Sequence, residues 1–324
     1  MKLYTLFFIA LGMISCHGEQ KQIQVSAPVA PTPYVCVEAD AYNQDSAFAF
    51  VKKQCDFGPR VPNTKQHDAC AAYLVSELQR LGAEVIEQKA VVTAFDGTKL
   101  NANNIIGTFF PEKENRVIFF SHWDSRPFCD HDPDKGNHKK SVMGANDGAS
   151  GVGVLLELAR LMQQKEPKMG VDIVFFDAED YGAPYFFNGN ADNDWCLGSQ
   201  YWSKHVHYMI KPKFGVLLDM VGAENPTFCV DKVSAMYAQT AVSRIWGRAQ
   251  EMGYEKFFIP QLEGSIMDDH YYVNVGTGIP TADIIDFNSE RGFPTMWHTM
   301  NDTPENISPA TLGMVGRLLT SLIY

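Results

Sequence analysis

Four short apolar runs, at 116–121, 171–176, 214–218 and 280–285, constrain this chain more than any other feature. They are rich in β-branched and aromatic residues and nearly continuous in apolar character, as strands buried on both faces are. Helical periodicity separates them at 151–164 and 234–252, with a further helical pattern at 68–81 and another at 309–324. This alternation predicts an α/β fold: a single domain with a mostly parallel, twisted central sheet flanked by helices. A chain of 324 residues that is 45% apolar can fill one large core of that kind.

The N-terminal stretch has a different character. Lys2 precedes an apolar run over 3–14 that is too short to span a bilayer, which is the pattern of a signal peptide covering residues 1–15. The run ends in Met13-Ile14-Ser15-Cys16, similar to a bacterial lipobox, in which cleavage leaves a lipid-modified cysteine at the new N-terminus. Residues 16–33 carry Gln, Val and Pro without helical or strand period and read as a tether, so the folded domain is expected over 34–324. The expectation is an exported, periplasm-facing lipoprotein that meets a bacterial membrane only through Cys16. A net charge of -11 and a pI near 5.3 leave no basic face for nucleic acid. Nothing in the sequence specifies an oligomeric state.

Apart from Cys16, cysteines stand at 36, 55, 70, 129, 196 and 229, an even number in a chain expected to be exported. Cys55 and Cys70 are the preferred disulfide pair because a short loop separates them, with buried free thiols as the alternative. No C-x-x-C spacing occurs, so thiolates are not expected to hold a metal.

Each of the four expected strands ends in acids or histidine: His122 and Asp124; Asp177, Glu179 and Asp180; Asp219; Asp286. Turns favour Asp, so one such end means little, but four in succession mark a site beyond the carboxyl ends of a parallel sheet. Asp147, in a small-residue segment opening the 151–164 helix, reads either as a helix N-cap or as a carboxylate held over the strand ends. Glu179 and Asp180 point different ways, so one can bind metal while the other moves protons. His298 reads as a core histidine or as a metal ligand. Two carboxylates, Asp147 with one of Glu179 and Asp180, and the His298 imidazole, with a fourth position open, would form a catalytic zinc site.

These residues match a known pattern. His122-x-Asp124, Asn146-Asp147-Gly148, Asp177-x-Glu179-Asp180-x-Gly182, Asp219-Met220 and His298 resemble the zinc aminopeptidase family. Within that clan the segments 217–228, 266–270 and 293–300 more closely resemble the glutaminyl-peptide cyclotransferases, or glutaminyl cyclases, and the similarity runs from about Val117 onward. The resemblance implies a zinc aminopeptidase-like fold with one Zn2+ per chain on Asp147, Asp180 and His298. It implies Glu179 as the proton shuttle, networked with Asp219 and Asp268. Trp297, Ile266 and Phe293 would wall a pocket for the N-terminal Gln of peptides or proteins. The implied reaction is an acyl transfer to the substrate's own amine, giving pyroglutamate and ammonia. Two positions depart from the animal pattern: Asp180 stands where those enzymes carry Glu, and Asp283 replaces a histidine of the substrate pocket. The segment 185–194 is also longer, so the aromatic lid falls to Trp195 or Tyr185. The alternative is a dizinc aminopeptidase, in which His122 and Asp219 complete a second metal site bridged by Asp147.

Overall fold

A computed structural model describes residues 36–324. The expected signal peptide, Cys16 and tether lie outside the described residues. Strands β1 (Glu84–Thr93), β2 (Lys99–Phe109), β3 (Arg116–His122), β4 (Gly170–Phe176), β5 (Gly215–Asp219) and β8 (Thr281–Ile285) form one sheet in the order β1-β2-β4-β3-β5-β8. Two further strands, β6 (Phe228–Asp231) and β7 (Phe258–Glu263), pair with each other. The four strands expected from the apolar runs are β3, β4, β5 and β8, and they are mutually parallel.

Why those runs are apolar without alternation follows from what covers them. Phe119, Ile173, Val216 and Ile284 face a core shared with α2 (Gln44–Cys55), α4 (Ala149–Gln164) and α9 (Pro309–Ile323). Phe120, Val174 and Leu217 face the opposite side, against Trp202 of α5 (Leu197–Trp202) and Val273 of α8 (Asp269–Thr277). Both pleat faces are dry, so every position wants an apolar side chain. The remaining helices are α1 (Val37–Asp40), α3 (Lys65–Arg80), α6 (Lys232–Tyr237) and α7 (Gln239–Glu251). No helix among the described residues is long and apolar enough to cross a membrane.

Three details differ from the sequence reading. The strands β1 and β2 add an antiparallel edge, because β1 pairs β2 and β2 pairs β4 antiparallel. Their signal is weak in the sequence: β1 is polar and largely exposed, and β2 carries Asn101, Asn103 and Asn104. The expected helix over 234–252 is instead two, interrupted at Ala238, with Asp231 capping the first by accepting the amides of Val233 and Ser234. Cys55 and Cys70 are not bridged. All six cysteines of the described residues are buried free thiols, and burial pushes Cys55 up to about 11 and Cys70 up to about 12. They pack as small apolar residues.

Candidate metal centre and pocket

The carboxyl ends of the parallel strands organise one another. Asp124, two residues beyond the end of β3, accepts the backbone amides of Glu179 and Asp180, each at 3.2 Å. One strand end thereby aims the acids of the next. Asp147 is set in the same manner by Asp302, whose carboxylate accepts the amides of Asn146 at 2.6 Å and Asp147 at 3.1 Å. Gly148 follows because a Cβ there would lie 2.6 Å from the His122 carbonyl oxygen. Ala178, Cys196, Met220 and His298 all take positive φ, a costly conformation for side-chain-bearing residues that concentrates here around the site.

Ligand atoms of Asp147, Asp180 and His298 lie within 4.8 Å of one another, and all three residues are buried. His298 Nε2 is 3.5 Å from Asp147 Oδ2 and 3.4 Å from Asp180 Oδ1. Its other ring nitrogen is 3.4 Å from Asp130 Oδ1, a carboxylate that fixes the imidazole's orientation. Burial by itself would push His298 down, but Asp180 foremost, with Asp130 and Asp147, pushes it up to about 10. Burial raises Asp180, and the neighbouring Asp147 raises it further. Asp180 Oδ2 is buried with no hydrogen-bond partner. Two dry carboxylates, one with an orphan oxygen, and an imidazole form a donor set suited to zinc, with three protein ligands and room for a fourth.

A second set overlaps the first. His122 Nε2 lies 2.9 Å from Asp147 Oδ1 and 3.2 Å from Asp219 Oδ1, and these three residues likewise bring ligand atoms within 4.8 Å. Burial pushes Asp219 up to about 7. Beside it stand Glu179 and Asp268, linked through Cys196, whose thiol donates to Glu179 Oε1 at 3.3 Å and lies 4.0 Å from Asp268 Oδ1. Burial drives Glu179 well above the usual carboxylate range, and the charges of Asp268 and Asp180 add to it against the pull of His122.

These acids floor a cavity of about 450 Å3 whose walls are Trp195, Met220, Ile266, Met267, Ile285, Phe287, Phe293 and Trp297. Trp297 stacks on His298 with ring centroids 3.8 Å apart, and Phe293 packs on Trp297 at 4.5 Å. Trp195 lies parallel to the His298 ring at 6.1 Å. A larger groove of about 760 Å3 between α3 and the β1–β2 edge contains none of the clustered acids. Chemistry rather than size marks the site.

Most of the sequence-derived candidates converge here: Asp147, Glu179, Asp180, Asp219, Asp268, His298, Trp195, Ile266, Phe293 and Trp297 all line the cavity. Two do not. Tyr185 is 60% exposed and lies outside the cavity lining, its hydroxyl 3.1 Å from His138 Nδ1, so Trp195 supplies the aromatic wall. Asp283 is fully buried and does not line the cavity. It shares a strand face with Ile285, which does, but sits one pleat deeper, roughly 7 Å down β8. The sequence reading missed Arg126, Asp130, Cys196 and Asp302, each of which has a partner in the site distant in the chain. For Arg126 the one hint is a basic residue two positions past the His122-x-Asp124 pair.

Known proteins share this fold and much of this sequence. Residues 104–323 match Peptidase family M28. A glutaminyl cyclase structure from Tannerella forsythia is similar at 52% identity and TM-score 0.85, covering 87% of this chain and 98% of that one. A Zn-dependent exopeptidase structure from Parabacteroides distasonis is similar at 50% identity, with the same TM-score and coverage. Glutaminyl-peptide cyclotransferase from Bos taurus is 25% identical over 296 residues, 80% of this chain and 76% of its own length. With the family match spanning most of the chain and half the residues shared with solved relatives, this protein belongs to peptidase family M28, in its glutaminyl cyclase branch.

Proposed function

We propose that this protein cyclises the N-terminal glutamine of peptides and proteins to pyroglutamate with release of ammonia, using one zinc ion per chain on Asp147, Asp180 and His298. The observation that carries this reading is the joining of that donor set to an aromatic pocket with Glu179 and Asp268 on its floor. Zinc bound there would supply a Lewis acid for the glutamine amide oxygen. The pocket walls orient an amine and an amide that already belong to one molecule, so proximity alone contributes much of the rate. Trp297, Phe293 and Ile266 exclude the water that would otherwise compete. Glu179 takes a proton from the α-amine and returns it to the departing nitrogen, its carboxylate flanked by Cys196 and Asp268.

A second reading is a dizinc aminopeptidase, favoured by the His122, Asp147 and Asp219 cluster. One experiment separates them: incubate the protein with a Gln-initiated peptide and with leucine amide, and follow mass and bound metal. Loss of ammonia from the peptide with about one zinc per chain supports the cyclase. Free leucine with about two would overturn it.

Export and lipid anchoring at Cys16 belong to the same proposal, on the strength of the apolar run over 3–14 and the Met13-Ile14-Ser15-Cys16 motif. Metabolic labelling with a fatty acid should mark the wild-type chain and not Cys16→Ser. Equal labelling of both would remove the anchor from the proposal.

A further inference from the structure

Arg126 is 1% exposed and touches three parts of the site at once. Its guanidinium grips Asp130 in a two-pronged pair, Nε to Oδ1 and Nη2 to Oδ2, both 2.7 Å. Nη1 donates to the Asp180 carbonyl at 3.1 Å and approaches Asp180 Oδ1 at 3.4 Å. The plane lies 4.5 Å from the Trp195 ring, in cation–π contact. Asp130 in turn reaches the ring nitrogen of His298 that faces away from Asp147 and Asp180. Thus one side chain supports two of the three metal ligands on one edge and the aromatic wall of the pocket on its face. Gly182 admits this arrangement, because a Cβ there would fall inside the Trp195 indole.

We propose that Arg126 is a positioning residue that couples the Trp195 wall to the metal ligands Asp180 and His298, so that the seating of Trp195 and the retention of zinc are linked. The proposal rests on the metal-site reading above but not on which reaction follows. A planar, forked cation is required: lysine offers the charge but neither the two-pronged grip nor the stacking face. Asp180 carries its carboxylate on a single methylene, and support through Arg126 fixes where that carboxylate can go.

The test is zinc affinity by chelator competition on the full-length protein, for wild type, Arg126→Lys, Trp195→Leu and the double variant. Trp195 is partly exposed, so its replacement leaves the core intact. Trp195→Leu, which touches no proposed ligand through a hydrogen bond, should weaken zinc binding about fivefold or more. In the Arg126→Lys background the same change should have no further effect, since the link is already broken. Unchanged zinc affinity in Trp195→Leu, or losses that simply add in the double variant, would overturn the coupling. Should Arg126→Lys fail to fold, Asp130→Asn, which cuts the same link between Arg126 and His298, takes its place in the cycle with Trp195→Leu, and additive losses there would overturn the coupling equally. A wild-type chain that takes up no zinc would sink the metal reading and this inference together. One that binds zinc but does not cyclise glutamine would sink the cyclase reading only.

Discussion

The same parallel strands bury charge at both ends, and the two ends solve the problem in opposite ways. At the amino ends Arg116 of β3 meets Asp172 of β4, with Nη2 to Oδ1 at 2.7 Å and Nε to Oδ2 at 3.2 Å, while the rest of the guanidinium donates to the carbonyls of Phe109 and Phe110. Charge cancels and both carboxylate oxygens are used. At the carboxyl ends Asp177 is likewise paired, with His67 at 2.9 Å, but beyond that pair acids outnumber bases: Asp124, Asp147, Glu179, Asp180, Asp219 and Asp268 gather around His122, His298 and Arg126, and oxygens of Asp180 and Asp268 are left without partners. Buried charge is therefore not itself the mark of function. An unbalanced surplus is, because only an outside cation or moving protons can make it tolerable.

This contrast is open to attack from either end. The largest effect should come from His298→Ala, which removes the imidazole donor of the set: zinc should be lost along with at least about a thousandfold of turnover. Metal analysis beside ammonia release checks both. Glu179→Gln should cost about 10²- to 10⁴-fold in turnover yet keep its zinc, and an active variant would end the shuttle role.

At the amino end the prediction reverses. Asp172→Ala strands the Arg116 charge and should cost about 3–5 kcal/mol of stability, seen in chemical unfolding, while the folded fraction keeps its turnover. Burial alone would raise the Asp172 carboxyl, but His207 and Arg116 outweigh it and hold it below the usual range. With the folded value depressed, the pair's contribution is fully present above the unfolded value of about 3.9 and is lost as pH falls through the folded one. Asp172→Asn should accordingly flatten the acid limb of a stability–pH curve. If the flattening appeared instead near neutrality, the pair would not be the group responsible.

Smaller effects sharpen the picture. Under subsaturating substrate the rate should climb with pH and level off above roughly 8, as the substrate's α-amine loses its proton. A flat profile between about pH 6 and 9 would count against attack by that amine. Smallest of all, a reductant should leave the unfolding temperature of the folded domain unchanged, since its six thiols are free.

Much of the site was legible in the chain because a parallel sheet gathers strand ends that are far apart in sequence. Reading the residues after each apolar run was enough to collect His122, Glu179, Asp180 and Asp219, but the same reading also chose Asp286, which instead accepts the Thr227 amide and pairs with Arg291 outside the cavity lining. Asp147 and His298 were legible through the motifs around them. Arg126, Asp130 and Asp302 were not, since each works through a partner whose approach depends on loop geometry. The antiparallel β1–β2 edge was missed for a related reason: the largely exposed β1 and the buried asparagines of β2 carry little apolar signal. Asn104 nevertheless earns its place, as its side-chain oxygen accepts the Asp177 amide at 3.0 Å.

What the sequence by itself determined is the layered α/β core, because two-sided burial writes itself into uninterrupted apolar runs, and the identity of the acids at their ends. What the tertiary structure decided is which of those acids share a ligand position and which are held apart. Asp283 and Ile285 differ by one pleat, and only one reaches the cavity. Tyr185 and Trp195 are both aromatic neighbours of the site, and only Trp195 turns inward over Gly182 and Arg126. Composition and spacing carry no information on depth or direction at the scale of a few ångströms, and ligand geometry is decided at that scale.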